Sequence, residues 1–185
     1  GYPINVSDVA GFVADVKWIM DDLGVQLDGL DWDIEHNSDP QNIGLISKAL
    51  FDHYGPNFRS AVTIGGISND YDKQNRIQQG LQIQLRGCLS RFAMQCYDWD
   101  GWGSPGWYSI LKGEYQRYLN DGIALDALGI GMMVGPGATY WTLEKCHQGM
   151  TQLKAELGVH KAALWEAARD GTTAWGADMK SILGA

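Results

Sequence analysis

Four acidic residues close together in the sequence are the clearest candidates for chemical function: Asp28, Asp31, Asp33 and Glu35. An unpaired ionised carboxylate is costly in a low-dielectric interior, so four of them among apolar residues need a reason. Carboxylates this close cannot all be ionised, and at least one is expected to keep its proton at neutral pH. The spacing therefore favours acid–base chemistry, with a metal site or an accidental acidic patch as the alternatives.

The same stretch is predicted to be a short buried strand, marked by the apolar residues Val25, Leu27, Leu30, Trp32 and Ile34. Side chains alternate between the two faces of a strand, so Asp31, Asp33 and Glu35 point the same way, roughly 6 to 7 Å apart per step. The alternating apolar residues point to the other face, where they can pack against helices. Asp28 has the opposite parity and is predicted to be a structural hydrogen-bonding residue at the start of the strand.

Helix-like and strand-like segments alternate along the rest of the chain. Four further strands are predicted at 59–67, 90–97, 127–134 and 161–166, with helices at 6–23, 40–53, 71–86, 109–119, 142–157 and 173–183. Such alternation predicts right-handed βαβ units and a parallel sheet, in a single α/β domain over residues 1–185. A closed (β/α)₈ barrel and an open doubly wound sheet compete. Polar residues at the carboxyl ends of several strands favour the barrel, and no phosphate-binding glycine loop favours the open sheet.

Composition narrows the classes of partner. The net charge is −8 without a cluster of Lys or Arg, so nucleic acid is not expected, whereas an uncharged polysaccharide is compatible. No apolar run is long enough to span a bilayer. The four histidines lack metal-ligand spacing, and neither a metal nor a cofactor is expected. The three cysteines, Cys88, Cys96 and Cys146, allow at most one disulfide within the chain.

Three segments resemble the family 18 glycoside hydrolases, the chitinases and related endo-β-N-acetylglucosaminidases. They are the D-x-x-D-x-D-x-E signature of Asp28, Asp31, Asp33 and Glu35, the element Gln95-Cys96-Tyr97-Asp98, and Ala163-Leu164-Trp165-Glu166 in the last strand. The first pattern is specific because it fixes four acids and their phase in one strand. Ile34 within the signature, together with Gln95, is closest to the plant and fungal class III chitinases of the hevamine type.

The resemblance implies a (β/α)₈ barrel and substrate-assisted, retaining hydrolysis of β-1,4-linked N-acetylglucosamine, without a cofactor. It implies that Glu35 is the general acid and later the base. Asp33 would orient the acetamido group of the substrate, whose carbonyl oxygen attacks the anomeric carbon, and Asp31 would share a proton with Asp33. Tyr97 would hydrogen-bond the acetamido carbonyl.

Three more residues have implied places in the same site. Gln95 and Asp98 would line the subsite of the acetamido group, and Trp165 would form the apolar floor under the distorted sugar. The implied substrate is a polysaccharide or N-glycan that contains N-acetylglucosamine. The implied location is extracellular or within the secretory compartment.

The sequence departs from the family pattern before the acidic strand. Only one helix precedes that strand, whereas the family has three strand–helix units there. We therefore expect an incomplete barrel of about five βα units, the C-terminal part of a catalytic barrel, completed by a second polypeptide or subunit that supplies the missing strands. The alternative to an enzyme is a catalytically inactive chitinase-like lectin or a structural subunit of a larger assembly.

Overall fold

The computed structural model describes residues 6–34, 38–64, 73–97, 103–134, 141–164 and 174–184. The strands are β1 (Gly29–Trp32), β2 (Arg59–Ile64), β3 (Leu89–Gln95), β4 (Leu128–Met132) and β5 (Ala162–Leu164). The helices are α1 (Val9–Lys17), α2 (Pro40–Tyr54), α3 (Lys73–Leu85), α4 (Trp107–Asn120), α5 (Leu143–Leu157) and α6 (Ala174–Leu183). Strands and helices alternate, and the five parallel strands are ordered β1-β2-β3-β4-β5. The predicted α/β architecture of about five βα units is confirmed.

The chain divides into two compact units, and the division falls within β3. Unit 1 comprises Gly1–Ile64 and Tyr71–Phe92, and unit 2 comprises Gly65–Asp70 and Ala93–Ala185. Unit 1 contains β1, β2 and the first three helices, whereas unit 2 contains β4, β5 and the last three. The assignment of residues 1–185 to a single domain stays a prediction.

Local sequence signals set the helix starts. The Asp8 carboxylate accepts a hydrogen bond from the Gly11 amide at 2.9 Å and caps α1. The Asp39 carboxylate does the same for α2, where Pro40 occupies the first helical position. Both arrangements satisfy amide groups that have no partner within the helix. The helix predicted over 6–23 is α1 followed by a π-helical turn at Trp18–Asp22.

The acidic strand begins later than its apolar residues suggest. The side chain of Val25 is 41% exposed, and pairing with β2 starts at Gly29, opposite Arg59. A Cβ atom at Gly29 would collide with the carbonyl oxygen of Arg59, so β1 approaches β2 this closely only because a glycine stands there. The prediction that Val25 belongs to the buried strand is wrong.

One face of the unit 1 strands packs against helices. Trp32 and Ile34 are only 3% and 2% exposed. The ring of Trp32 lies 5.4 Å from that of Phe12 in α1, and its indole N–H donates to the Ser47 hydroxyl of α2 at 3.0 Å. This packing fixes which face of β1 is turned away from the helices.

In unit 2, β4 is buried along its whole length, as expected for a parallel strand covered on both faces. The Tyr115 hydroxyl of α4 donates to the Leu128 carbonyl oxygen at 3.2 Å, and burial raises the pKa of Tyr115 well above its usual range. A parallel pairing of Ile130 with Ala162 begins the contact between β4 and β5. The unit 2 strands are therefore fixed by both side-chain and main-chain contacts.

The cysteines Cys88, Cys96 and Cys146 are all free and buried, and burial raises the pKa of the Cys88 thiol. Within the described ranges, no helix is both long and apolar enough to cross a membrane.

Candidate active site

Of the three described acids of the signature, Asp31 and Asp33 lie at the carboxyl end of β1. The side chains of Asp31 and Asp33 are 43% and 33% exposed, while the intervening Trp32 and the following Ile34 are buried. This alternation matches the predicted separation of acids and apolar residues onto opposite faces. Asp28 is exposed, and its carbonyl oxygen accepts a hydrogen bond from the Arg59 amide at 3.1 Å.

Both carboxylate oxygens of Asp31 are bound by side chains from β2 and β3. Its Oδ1 accepts from the Thr63 hydroxyl of β2 at 2.9 Å, and its Oδ2 lies 2.7 Å from Nη2 of Arg91 in β3. Thr63 stands two residues beyond Ala61, the β2 residue opposite Asp31 in the sheet register. The proton that Asp31 is expected to share with Asp33 stays a prediction.

Asp33 faces a buried arginine from α3. Nη1 of Arg76 lies 3.5 Å from Oδ1 of Asp33, and the Arg76 side chain is 3% exposed. The same Nη1 donates to the Thr63 carbonyl oxygen at 3.2 Å. A buried guanidinium stays charged, and the Asp33 carboxylate supplies the opposite charge.

The helix α3 also binds the chain just after the acidic stretch. The Asn75 side chain accepts from the Ser38 amide at 3.2 Å and donates to the Ser38 carbonyl oxygen at 2.8 Å. The Gln79 amide donates to the Ser38 hydroxyl at 2.9 Å and to the Asn75 side chain at 2.7 Å. Asp33 and Ser38, on either side of the position of Glu35 in the sequence, are thus both bound to one helix.

The predicted site residues of unit 2 lie at the end of β3. Gln95 is its last residue and is 9% exposed, and Tyr97 follows two positions later with its side chain half-buried. Between them, the Cys96 amide donates to the Gly131 carbonyl oxygen at 2.7 Å. The Cys96 carbonyl oxygen accepts from the indole N–H of Trp141. The main-chain amide and carbonyl groups of Cys96, the residue before Tyr97, are therefore both hydrogen-bonded.

Three predicted residues lie outside the described part of the chain: Glu35, Asp98 and Trp165. The implied roles of these three residues stay predictions. So do those of Asp33, Gln95 and Tyr97, whose places in the fold are known.

Sequence reasoning missed the polar partners of the two acids. Arg76 belongs to the helix predicted at 71–86, to which no site residue was assigned, although Lys73, Arg76 and Gln79 are buried on it. Arg91 lies in the predicted strand 90–97 and was given no role. The available signal was an arginine within a predicted strand of the same sheet. Among the described residues, no group of three His, Cys, Asp or Glu is placed to hold a metal ion.

The fold is similar to that of chitinase catalytic domains. A protein described as chitinase A from Streptomyces coelicolor superposes with a TM-score of 0.71 at 18% identity, over 98% of this chain and 67% of that one. The catalytic domain of a hyperthermophilic chitinase from Pyrococcus furiosus gives a TM-score of 0.61 at 14% identity, over 91% and 58%. Catalytic-site mutants of active domain 2 of a thermostable P. furiosus chitinase, complexed with chito-oligosaccharides, give 0.59 at 13%, over 88% and 56%.

At these identities the similarity establishes the fold alone. The chain spans about two thirds of the first of these structures and less of the other two. No family model matches the sequence, and no curated protein sequence matches it significantly. The chain therefore has a chitinase-like α/β fold, equivalent to part of such a domain.

Proposed function

We propose that this chain is the acid-bearing part of a family 18 glycoside hydrolase, and that it hydrolyses β-1,4-linked N-acetylglucosamine in a polysaccharide or N-glycan. The observation that carries the proposal is the arrangement of β1. Its acids occupy one face at the carboxyl end of a parallel strand, where βα folds of this kind place their active sites. The similarity to chitinase folds supports the same reaction class, and Ile34 with Gln95 supports the hevamine-type subclass.

In the proposed reaction, Glu35 protonates the glycosidic oxygen as the bond to the anomeric carbon breaks. The acetamido carbonyl oxygen of the same sugar attacks that carbon and forms a cyclic oxazolinium intermediate. Asp33 orients the acetamido N–H, and its negative charge stabilises the positive charge that develops on the ring. Glu35 then takes a proton from water, which opens the ring with retained configuration.

The remaining residues complete the proposed subsite. Tyr97 donates its hydroxyl to the acetamido carbonyl, and the fixed main chain at Cys96 supports its position. Gln95 and Asp98 line the same subsite, and Trp165 forms its apolar floor. Asp31 adjusts the charge of Asp33, and the Asp31 carboxylate is in turn bound by Thr63 and Arg91. Such a substrate fits an extracellular or secretory location.

The test is hydrolysis of a fluorogenic chitooligosaccharide by the wild type and by Glu35→Gln. The wild type is expected to release the fluorophore, and the variant to lose turnover because an amide cannot donate the proton. Glu144→Gln, at an exposed position of α5, is the matched control and is expected to keep full activity. Equal signal from wild type and Glu35→Gln would reject catalysis by this site.

A non-hydrolytic lectin is the second candidate, favoured by the exposure of Asp31 and Asp33. A catalytic acid cluster works best in a site that excludes water, whereas a binding surface has no such need. Chitin binding without turnover, unchanged in Glu35→Gln, would support the lectin. Turnover that depends on Glu35 would reject it.

The proposal includes a second polypeptide or subunit that supplies further strands. The first and last strands in the sheet order, β1 and β5, each have one neighbour among the described strands. Unpaired strand edges tend to associate with other strands. A partner that pairs with β1 would cover an edge directly beside the acids.

A further inference from the structure

Arg76 is an arginine whose burial is not matched by its hydrogen bonds. Its side chain is 3% exposed. Within the described part of the chain, its buried Nε atom has no hydrogen-bond partner. Burying a guanidinium costs free energy unless its donors are paired. An arginine that served only to stabilise the fold would therefore be expected to have more of its buried N–H groups hydrogen-bonded.

Two contacts of Arg76 with described residues lead to the acidic site. Nη1 reaches Oδ1 of Asp33 at 3.5 Å and the Thr63 carbonyl oxygen at 3.2 Å. The Thr63 hydroxyl also donates a hydrogen bond to the Asp31 carboxylate. Arg76 thus connects the main chain near the end of β2 with the carboxylate of Asp33, the residue that follows β1.

The neighbouring residue of α3 adds a second attachment. Asn75 exchanges two hydrogen bonds with the main chain of Ser38, and Gln79 donates to the Ser38 hydroxyl. One helix therefore binds the chain two residues before Glu35 and three residues after it. The acidic stretch precedes β2 in the chain and α3 follows it. These hydrogen bonds are therefore tertiary contacts that hold the acidic stretch in place.

We propose that Arg76 is a positioning residue for Asp33. It fixes the direction of the Asp33 carboxylate and keeps it charged, so that this group can orient the acetamido group of the substrate. The inference rests on the proposed function, which gives Asp33 that task. Reactive geometry is sensitive to small displacements, and an error of about 1 Å can reduce a rate by roughly a hundredfold.

The kinetic test uses the full chain and a fluorogenic chitooligosaccharide, with Arg76→Ala, Arg76→Lys and Arg86→Met compared with the wild type. Arg86 is the matched control because it immediately follows the same helix and its guanidinium binds Gln82 within it. Arg76→Ala is expected to lower kcat roughly ten- to a hundredfold with little change in KM, and Arg76→Lys to keep part of the activity. Arg86→Met is expected to behave like the wild type.

A purely structural role for Arg76 predicts a different result. Circular dichroism at the assay temperature gives the folded fraction, and a structural role would lower kcat only in proportion to it. Added methylguanidinium is expected to restore part of the activity of Arg76→Ala and none of that of Glu35→Gln. An Arg76→Ala protein that is folded and keeps kcat within about twofold of the wild type would overturn the inference.

A second measurement does not depend on turnover. The ¹³C shift of the Asp33 carboxyl carbon, followed against pH, is expected to titrate about one pH unit higher in Arg76→Ala than in the wild type if the positive charge holds the carboxylate ionised, with Arg76→Lys in between because lysine keeps the charge. The nearby ion pair of Asp31 and Arg91 is unchanged in all variants. Unchanged titration would reject the role of Arg76. A wild type without turnover would instead contradict the proposed function, and the titration would still decide whether Arg76 controls Asp33.

Discussion

At the scale of single residues, the buried hydrogen bond between Trp32 and Ser47 fixes the face of β1 that carries the acids. The indole N–H of Trp32 is buried, and the Ser47 hydroxyl is its acceptor at 3.0 Å. Ser47→Ala leaves this donor unpaired, which is expected to lower the free energy of unfolding by about 1–3 kcal/mol. Ser109→Ala, at an exposed position of α4, is the control and is expected to change it by less than about 0.5 kcal/mol.

Urea unfolding followed by tryptophan fluorescence measures both changes. Equal midpoints for Ser47→Ala and Ser109→Ala would show that the hydrogen bond does not stabilise this face of β1.

A second prediction at this scale concerns pH. Hydrogen bonding from Lys112 lowers the pKa of Glu156, and the two groups lie 2.7 Å apart. Because the folded pKa lies below the unfolded one, the charged carboxylate stabilises the fold above the unfolded pKa. That contribution is lost as the pH falls through the folded pKa.

Urea midpoints of the wild type and Glu156→Gln test this at two pH values. The wild type is expected to have the higher midpoint at pH of about 7, and the difference is expected to vanish at an acidic pH below both the folded and the unfolded pKa of Glu156. Glu144→Gln is the control. A difference that grows on acidification would contradict the assignment.

The acids themselves were predictable, and their partners were not. The period of two in a strand placed Asp31 and Asp33 opposite Trp32 from the sequence alone. Arg91 reaches Asp31 across 60 residues of chain, and Arg76 reaches Asp33 from a helix that reads only as polar. Pairs of this kind depend on how the strands and helices are placed in three dimensions, which local patterns do not encode.

At the scale of elements, a glycine determines how closely α5 approaches two tryptophans. A Cβ atom at Gly149 would lie 3.2 Å from ring atoms of Trp107 and of Trp141. Both rings are buried, and they pack edge to face at 5.8 Å. Since the indole of Trp141 also binds the Cys96 carbonyl oxygen, this contact reaches the main chain beside Tyr97.

Two glycine-to-alanine variants in helices separate crowding from helix propensity. A Cβ at Gly113 of α4 would meet no atom within 4 Å, so Gly113→Ala is expected to stabilise the protein by about 0.5–1 kcal/mol. Gly149→Ala gains the same propensity but crowds the rings, and its melting temperature is expected to fall below that of the wild type. A rise in both variants would show that the rings move aside without cost.

Element order was almost fully predictable because each element carries its own signal. Helical and strand-like residue patterns are local, so each range could be predicted from its own segment of the chain. The exception lies before β1, where Val25 and Leu27 continue the apolar pattern of the strand although pairing starts at Gly29. A periodic apolar pattern identifies residues that are able to pack in a strand. Which of them belong to the strand is decided by how closely another strand approaches.

At the scale of the whole molecule, the region leading into β1 has apolar side chains open to solvent. Trp18, Leu23 and Val25 are 54%, 56% and 41% exposed. Exposed apolar surface often marks an interaction site where it is contiguous, and β1 itself has a single described neighbour in the sheet. These two features support the proposed partner, a polypeptide that adds parallel strands next to β1.

The proposed partner predicts a particular mass and a particular pattern of amide exchange. Light scattering after size exclusion of the protein from its native source is expected to give a mass above the 20.4 kDa of this chain. In the chain alone, the β1 amides are expected to exchange faster than those of β2, which lies between two strands. Pairing would slow exchange at β1 while β2 stays unchanged, because only the edge gains hydrogen bonds. A monodisperse 20.4 kDa species whose β1 amides are already as protected as those of β2 would reject the added strands. It would also leave the acids of β1 to act without a partner.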